Sequence, residues 1–388
     1  MTTMNGSPKY LEVSTAIEAQ IRKGRWDGGK MPSVREVAEQ HRVSVVTASR
    51  ALQVLRDKGL IQTVERSGCY RVPSPTADRW ALALRITPGE WQKATVNISR
   101  LGFETLARRD PMHLETELFP LGPGMADRDV LPMARQAKEL GVRGVFLLPS
   151  RHSDEEMRLD ERLLGCCGEV GLPVVLLERN LRGHNRPLAT DLVAVDDLDG
   201  AARCTCHLLE IGRKRVAIIV ASPTSSHNDR VAGYLYALHA AARDTARKGV
   251  EHRPMVLHQS DDLPSKEVYA ALADQIRKLK IDGVVCYQDY TAIGLIMELL
   301  TRGLSVPKDV AVVGFDDLPI GNLFTIGVTT YAYPSEGIAE QAVRLMRERL
   351  NDPTRPPIKV VVPGKLIVRE STGGGPPIEG IPGRKFAQ

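Results

Sequence analysis

The chain has 388 residues, more than one hydrophobic core usually organises, and its 43% hydrophobic and 26% charged residues exclude a largely disordered protein. No apolar run is long enough to cross a bilayer, and residues 1–10 lack the apolar centre of a signal peptide, so we expect a cytoplasmic protein with no membrane partner. Residues 1–72 hold 12 basic and 7 acidic side chains, whereas the remainder holds 40 of each. This local excess of positive charge is typical of a nucleic-acid-binding region.

The N-terminal segment predicts two short helices. An apolar stripe at helical spacing marks the first helix, which should end near Gly24. The stripe consists of Tyr10, Val13, Ile17 and Ile21. Ser33 and Glu36 stand at the spacing of a capping box, which predicts a second helix running to about His41.

A third predicted helix begins after Ser44 and has two distinct faces. The face directed at the core consists of Ala48, Ala51, Leu52 and Leu55. The outer face consists of Val46, Ser49, Arg50 and Gln53. These groups suit the hydrogen-bonding pattern and thymine methyls of a DNA major groove. Residues 60–64 and 70–72 then predict two short strands around a turn that carries Arg66, which together form a wing.

This arrangement resembles the GntR-type winged helix over residues 9–72. The sequence MPSVREVA at 31–38 is similar to the family's L-P-S-x-R-E-L-A, and VSVVTASRAL at 43–52 is similar to V-S-x-x-T-x-x-R-A-L. The resemblance implies that Arg35 and Thr47 reach phosphates, that Ser49 and Arg50 approach base edges or backbone, and that Gly68 shapes the wing. The complete predicted DNA-binding set is Arg35, Ser44, Val46, Thr47, Ser49, Arg50, Gln53, Arg66 and Gly68. Taken singly, Arg35 is equally explained as the partner of a nearby acid, and Arg50 as a solvated surface charge.

The remaining chain predicts a larger domain. We expect a DNA-binding domain over residues 1–73, a Pro-containing linker over 74–80, a second domain over 81–372 and a flexible tail over 373–388. Short continuous apolar runs alternate with helical patterns, as in parallel strands that are buried on both faces. The runs are 144–148, 174–177, 192–195, 216–220, 283–286 and 310–313. The predicted fold class is therefore a doubly wound α/β domain, with ligand beyond the carboxyl ends of the strands.

The second domain resembles the LacI-type effector domain, which shares the two-lobed fold of periplasmic sugar-binding proteins. The likeness is carried by RVAGY at 230–234 and by GLSVPKDVAVVGFDD at 303–317. It implies an effector in the cleft between the lobes, held by Arg230 and by Asp316. The complete set of candidates for effector binding is Arg230, Asp316, Gln288, Asp289 and Trp91. The alternatives are that Asp316 caps a helix or pairs with a lysine, that Arg230 only bridges the lobes, and that Trp91 belongs to the core.

The combination of head and body resembles the arabinose-repressor type of regulator, which implies a sugar effector and a repressor. The first strand lacks the usual Gly-x-Ile-x-Pro opening, and Glu178-Arg179 replaces a common Asp-Arg. We expect a homodimer on double-stranded DNA, because one helix reads too few bases for specificity. Cys204, Cys206 and His207 invite a metal site, but residues two apart on a helix diverge, so we predict neither a metal nor a cofactor.

Two other functions compete with regulation. Some GntR-headed proteins carry a pyridoxal-phosphate enzyme domain, but we find no convincing context for the lysine that this chemistry needs, and we predict no catalytic residues. A solute-binding protein without regulatory DNA binding is the second alternative, which the basic N-terminal region opposes. We therefore expect a DNA-binding regulator that is not an enzyme.

Overall fold

The computed structural model describes residues 8–22, 26, 30–58, 60–64, 68–71, 78–85, 94–122, 125–151, 153–181, 186–221, 224–243, 253–259 and 266–374. The predicted site residues Arg66 and Trp91 lie outside these ranges, and so does the predicted tail from residue 375 onward. Within the described ranges, no helix combines the length and the hydrophobicity that crossing a membrane requires.

The N-terminal domain, called the head below, has the predicted order of elements. These are α1 (Lys9–Arg22), α2 (Val34–Gln40), α3 (Val45–Asp57), β1 (Ile61–Val64) and β2 (Gly68–Arg71). The capping box is confirmed, because the Glu36 N–H donates to Ser33 Oγ and the Ser33 N–H donates to the Glu36 carboxylate. The predicted inner face of α3 is completely buried, in a core shared with α1 and α2. The antiparallel pair β1–β2 forms the wing.

The second domain, called the body below, alternates strands and helices as the apolar runs predict. In chain order, its elements are β3 (Asp78–Ala83), α4 (Ala94–Ala107), β4 (Met112–Glu115), α5 (Asp127–Glu139), β5 (Gly144–Leu147), α6 (Asp154–Glu169), β6 (Val174–Leu177), β7 (Asp191–Val195), α7 (Asp197–Glu210), β8 (Val216–Val220), α8 (Ser225–Ala242), β9 (Val256–His258), α9 (Lys266–Leu279), β10 (Gly283–Val285), α10 (Asp289–Thr301), β11 (Ala311–Asp316), α11 (Pro319–Leu323), β12 (Thr329–Ala332), α12 (Ser335–Asn351), β13 (Lys359–Val362) and β14 (Lys365–Ile367). Each of the six predicted runs overlaps a strand, so the α/β fold class is confirmed.

The strands of the body form two six-stranded sheets, one in each lobe. The first lobe has the order β13-β7-β6-β5-β3-β4, and all of its pairs are parallel. The second lobe has the order β14-β12-β11-β10-β8-β9, in which only β14 pairs antiparallel. The first strand begins at Asp78, inside the range predicted as linker. The buried Asp78 side chain receives ion pairs from Arg143 and Arg347, which secure this start.

The chain crosses three times between the two lobes. The first crossing follows β7 at Asp196, the second lies at 333–334 between β12 and α12, and the third lies at 363–364 between β13 and β14. Because parallel strands present their carboxyl ends along one edge of a sheet, each lobe offers the loops after its strands to a shared cleft. This confirms the predicted two-lobed architecture.

Candidate DNA-binding surface and ligand cleft

The N-terminus of α3 presents hydroxyl groups beside its free amides. Ser44 caps the helix, since its Oγ accepts the Thr47 N–H at 3.1 Å and lies 2.8 Å from Thr47 Oγ1. A helix N-terminus favours anions through its unpaired N–H groups and its dipole. The position of Ser44 and Thr47 is therefore suited to a DNA phosphate.

The outer face of α3 is exposed, as the sequence predicts. Val46 is 70% exposed, and Ser49, Arg50 and Gln53 are also exposed. The Arg50 guanidinium lies 5.8 Å from the centre of the Tyr10 ring and makes no ion pair with the described residues. Gln53 Nε2 donates to Asp57 at 2.7 Å.

Two further features of the head bear on DNA binding. Val45 is 52% exposed and was not among the predicted contact residues. Together with Val46 it offers two neighbouring apolar side chains, which are suited to contact with thymine methyls. Arg35 on α2 is exposed and forms no ion pair within the described part of the chain, which disfavours the alternative that it serves an internal acid.

The wing depends on the backbone of Gly68. Its φ of +115° lies in a region that residues with a Cβ rarely adopt, and a Cβ there would lie 2.9 Å from Lys30 Cε. Lys30 forms a β-bridge with Tyr70, which adds a third strand segment to the wing. Lys30 could not be predicted as part of the wing, because the bridge joins residues that are far apart along the chain.

A cleft of about 820 Å³, part of it open to solvent, lies between the two lobes of the body. It is lined by residues that follow the carboxyl ends of β3, β5 and β6 in the first lobe, and by residues on α8 and after β10 and β11 in the second. The charged lining residues are Arg85, Arg151, Glu156, Glu178, Arg179, Asp197, Arg230 and Asp316. The cleft is therefore polar, and its positive and negative groups are equal in number.

Arg230 lies at the centre of the second-lobe wall and is 8% exposed. Its Nε donates to Asp197 Oδ1 at 2.7 Å, its Nη1 donates to the Tyr287 carbonyl, and its guanidinium carbon lies 4.0 Å from the centre of the Phe315 ring. These contacts fix the plane of the guanidinium. The remaining Nη2 points toward Asp316, 4.0 Å from its Oδ1.

The structure brings Asp316 and Gln288 to the same cleft as Arg230. Asp316 ends β11 with φ +94°, and its successor Asp317 also has a positive φ, so the chain turns sharply where the carboxylate meets the cleft. Gln288 is buried in the lining and donates to the Tyr287 hydroxyl at 3.1 Å. Burial raises the pKa of the neighbouring Asp197 to about 6, against the opposing effect of the Arg230 charge.

Asp289, in contrast, does not line the cleft. It is completely buried, and its Oδ2 accepts the Leu318 N–H at 2.7 Å. A Cβ on Gly314 would lie 2.1 Å from Asp289 Oδ1, so β11 approaches this carboxylate closely. Asp289 therefore stabilises the loop after β11, while the preceding residue Gln288 lines the cleft.

The first-lobe wall contains charged residues that were not among the predicted binding residues. Arg85 has φ +46°, and its guanidinium contacts Asp160, whose pKa burial raises to about 6. Arg179 donates to Glu178 at 2.7 Å and to the Pro149 carbonyl at 2.8 Å. These arginines stand two residues after the ends of β3 and β6, so the rule that ligands bind beyond strand ends is the signal that could have found them.

Several contacts join the two lobes across the cleft and keep it closed. The Asn180 N–H of the first lobe donates to Ser225 Oγ of the second at 3.0 Å. Lys359 Nζ on β13 lies 2.7 Å from Asp229 Oδ2 on α8. The Arg151 guanidinium carbon lies 5.4 Å from the centre of the Tyr287 ring. The described residues contain no cluster of three His, Cys, Asp or Glu side chains able to hold a metal ion.

Comparison with known families agrees with the division into head and body. Residues 9–70 match the gntR family of bacterial regulatory proteins, and residues 205–372 match the periplasmic binding protein-like domain. The first range covers the head, and the second lies within the body. Both resemblances predicted from the sequence are thereby confirmed.

Proteins related to this chain in sequence are transcriptional regulators. The HTH-type transcriptional regulator of the aml 5′ region of Streptomyces limosus is 31% identical over 251 residues, which is 64% of this chain and 68% of that protein. The arabinose metabolism transcriptional repressor of Geobacillus stearothermophilus is 23% identical over 373 residues, which is 94% of this chain and 98% of that protein. Both are regulators, in agreement with the prediction that the chain is not an enzyme.

Solved structures agree on the fold of the body. A LacI family transcriptional regulator from Enterococcus faecium with bound ribose superposes with a TM-score of 0.55 at 19% sequence identity. The match covers 76% of this chain and 98% of that chain. At this identity the likeness establishes the fold alone.

Proposed function

The chain belongs to the HTH-type transcriptional regulators that join a GntR-family head to a periplasmic-binding-protein-like body, and we propose that it is a repressor whose operator affinity is set by a sugar bound between the lobes. The observation that carries this proposal is the pairing of two unlike surfaces. One is the exposed face of α3, which is suited to DNA. The other is the closed polar cleft around Arg230 and Asp316.

For DNA binding, we assign base and backbone contacts to the N-terminal half of α3. Arg50 and Ser49 approach base edges from the major groove, while Val46 contacts a thymine methyl. Arg35, Ser44 and Thr47 bind phosphates and so fix the position of the helix on the duplex. A sugar-phosphate backbone supplies the anions that the exposed arginines do not find within the head.

For the effector, a sugar fits the chemistry of the cleft. Arg230 donates through a fixed planar fork and Asp316 accepts hydroxyl hydrogens from the same wall, while Gln288 adds an amide. The relatives' names point the same way, since one represses arabinose metabolism and another is the ribose operon repressor of Halalkalibacterium halodurans. Asp289 is not part of this assignment, because its carboxylate is engaged behind the wall.

We propose that the active form is a homodimer assembled through the body. Two heads on one pseudo-palindromic operator read enough bases for specificity, whereas one head does not. Sedimentation of the full chain tests this, with a mass of two chains expected. A mass of one chain at the concentrations where operator binding is saturated contradicts it.

Sugar binding acts on DNA affinity only if the effector prefers one arrangement of the heads. The contacts across the cleft, such as Asn180 with Ser225, favour the closed form, so a ligand that adds contacts to both walls shifts the body further toward it. The closed body then holds the heads at a spacing that differs from that of the operator half-sites.

Fluorescence anisotropy with DNA from upstream of the chain's own gene tests the proposal. We expect wild-type affinity to fall steeply with salt and to exceed affinity for scrambled DNA. Arg50→Ala should reduce that preference, while Arg128→Ala, at a side chain that is 88% exposed on the body, should preserve it. If wild type binds upstream and scrambled DNA with equal affinity, and Arg50→Ala binds both just as tightly, the result contradicts regulation and favours a solute-binding protein.

A further inference from the structure

Arg151 differs from the other arginines of the cleft. Arg85, Arg179 and Arg230 each contact a carboxylate, whereas Arg151 has no carboxylate partner in the described part of the chain. The Arg151 guanidinium carbon instead lies 5.4 Å from the centre of the Tyr287 ring of the opposite lobe. A cation held by an aromatic face alone retains its capacity to bind an anion.

The two walls of the cleft carry opposite charges. The first-lobe lining contains three arginines against Glu156 and Glu178, while the second-lobe lining contains Arg230 against Asp197 and Asp316. The lining as a whole is balanced, so this polarity comes from the placement of the charges. A ligand that spans the cleft meets a positive end at the first lobe and a hydrogen-bond-accepting end at the second.

Arg179 strengthens the positive end. Its Nε is buried and has no hydrogen-bond partner among the described residues. Burial lowers the pKa of Arg179, and the nearby charge of Arg151 lowers it further. Of these two neighbouring guanidinium groups, only that of Arg179 has a carboxylate partner, Glu178, so a second anion would balance the remaining positive charge.

We propose that the effector is a polyhydroxylated molecule with one anionic group, a phosphate or a carboxylate, which Arg151 binds at the first-lobe end of the cleft. The hydroxyl groups then face Asp316 and Arg230 of the second lobe. A bidentate contact between guanidinium and anion is stronger than the contact with the Tyr287 ring. The Arg151 guanidinium therefore binds the anion in place of the ring. This inference rests on the proposed sugar effector and narrows its chemical class.

Isothermal titration of the full-length protein with matched trios tests the inference. The trios are ribose, ribose 5-phosphate and ribonate; arabinose, arabinose 5-phosphate and arabinonate; and glucose, glucose 6-phosphate and gluconate. In at least one trio, we expect an anionic member to bind about 10- to 100-fold more tightly than its neutral parent, the factor of one charge-assisted hydrogen bond. The phosphate and carboxylate arms distinguish the two sources of the anion.

Arg151→Gln should remove most of this discrimination, measured as the ratio of the affinities for the anionic member and its neutral parent, and Arg151→Lys should restore part of it. Arg128→Gln is the matched arginine control, because that side chain is 88% exposed on another surface. A structural role for Arg151 would weaken all three members of a trio alike and leave their ratio intact.

The outcomes separate this inference from the proposed function. A neutral sugar that binds wild type as tightly as its anionic relatives overturns the anionic effector and leaves the sugar-responsive repressor in place. The same holds if the ratio survives in Arg151→Gln. If no member of any trio binds, the sugar effector and the inference both fail. Titrations of the wild-type protein alone distinguish these outcomes, so the test does not depend on whether a variant folds.

Discussion

In the head, Arg35 and Arg50 are exposed and form no ion pair with the described residues. In the cleft, Arg85 and Arg230 are buried, Arg179 is largely buried, and each contacts a carboxylate. This difference in ion pairing follows from the kind of ligand that each surface is proposed to bind. DNA brings its own negative charges, so a head that already neutralised its arginines would have less to offer. A small ligand brings few charges, so the cleft must satisfy its own.

This contrast divides the expected effects of substitution. Removing an exposed, unpaired cation from the head should change DNA affinity and leave the free energy of unfolding almost unchanged. Removing a buried, paired cation from the cleft leaves a carboxylate uncompensated, so function and stability should fall together. Each prediction below tests one side of this division.

Arg230→Ala should have the largest effect. It leaves Asp197 and Asp316 buried without their cation, and breaking such a pair typically costs about 3–5 kcal/mol of unfolding free energy. Denaturant unfolding measures this loss, and titration should show effector binding abolished. Arg230→Ala combined with Asp197→Asn should recover part of the stability but no binding. A single variant as stable as wild type would refute the claim that this arginine compensates buried charge.

The next largest effect should be the change in unfolding free energy with pH that the Asp160 carboxyl produces. Burial raises its pKa to about 6, although Arg85 opposes the shift. The folded state therefore binds more protons than the unfolded chain between about pH 4 and 6, so this group's contribution to stability declines as pH rises through that window. Relative to Asp160→Asn, wild type should lose up to about 3 kcal/mol across it. A difference that is independent of pH contradicts the raised pKa.

The fold and the exposed outer face of α3 could largely be predicted from the sequence, because both depend on local periodicity. Ala48, Ala51, Leu52 and Leu55 recur at helical spacing, and their burial fixes which residues face outward. The continuous apolar runs likewise predicted the central strands. Four strands that the runs did not predict, β4, β9, β13 and β14, lie at sheet edges, where fewer neighbours impose an apolar pattern. β12, which the runs also missed, lies inside the second-lobe sheet.

The cleft was only partly readable, because its residues come together from loops that are distant in sequence. The motif at 230–234 pointed to Arg230, but nothing local shows that Arg85 and Arg151 lie on one wall of the same cleft. The sequence also did not distinguish Gln288 from its neighbour Asp289. Which of two consecutive residues lines a cleft depends on the direction of the helix start, and α10 turns Asp289 toward Leu318 instead.

Arg50→Ala and Arg35→Ala should separate two kinds of DNA contact without changing stability. Arg50→Ala should cost about 1–3 kcal/mol of binding to the operator and little on scrambled DNA, as expected for a base contact. Arg35→Ala should weaken binding to both DNAs alike. It should also reduce the slope of log K against log salt concentration by about one unit, as expected for a phosphate contact. Anisotropy over a salt series measures both. Identical patterns for the two variants would contradict the assignment.

Gly68→Ala should have the smallest effect, confined to the wing. The backbone strain of a Cβ at φ +115° costs about 1–2 kcal/mol, whereas the 2.9 Å approach to Lys30 Cε is relieved cheaply because that side chain is flexible and exposed. Gly141→Ala is the matched control, since Gly141 has φ +78° in the body and no atom within 4 Å of the added Cβ. Both variants should lose similar stability, but only Gly68→Ala should weaken operator binding in anisotropy. Equal operator affinity in the two variants would mean that the wing does not contact DNA.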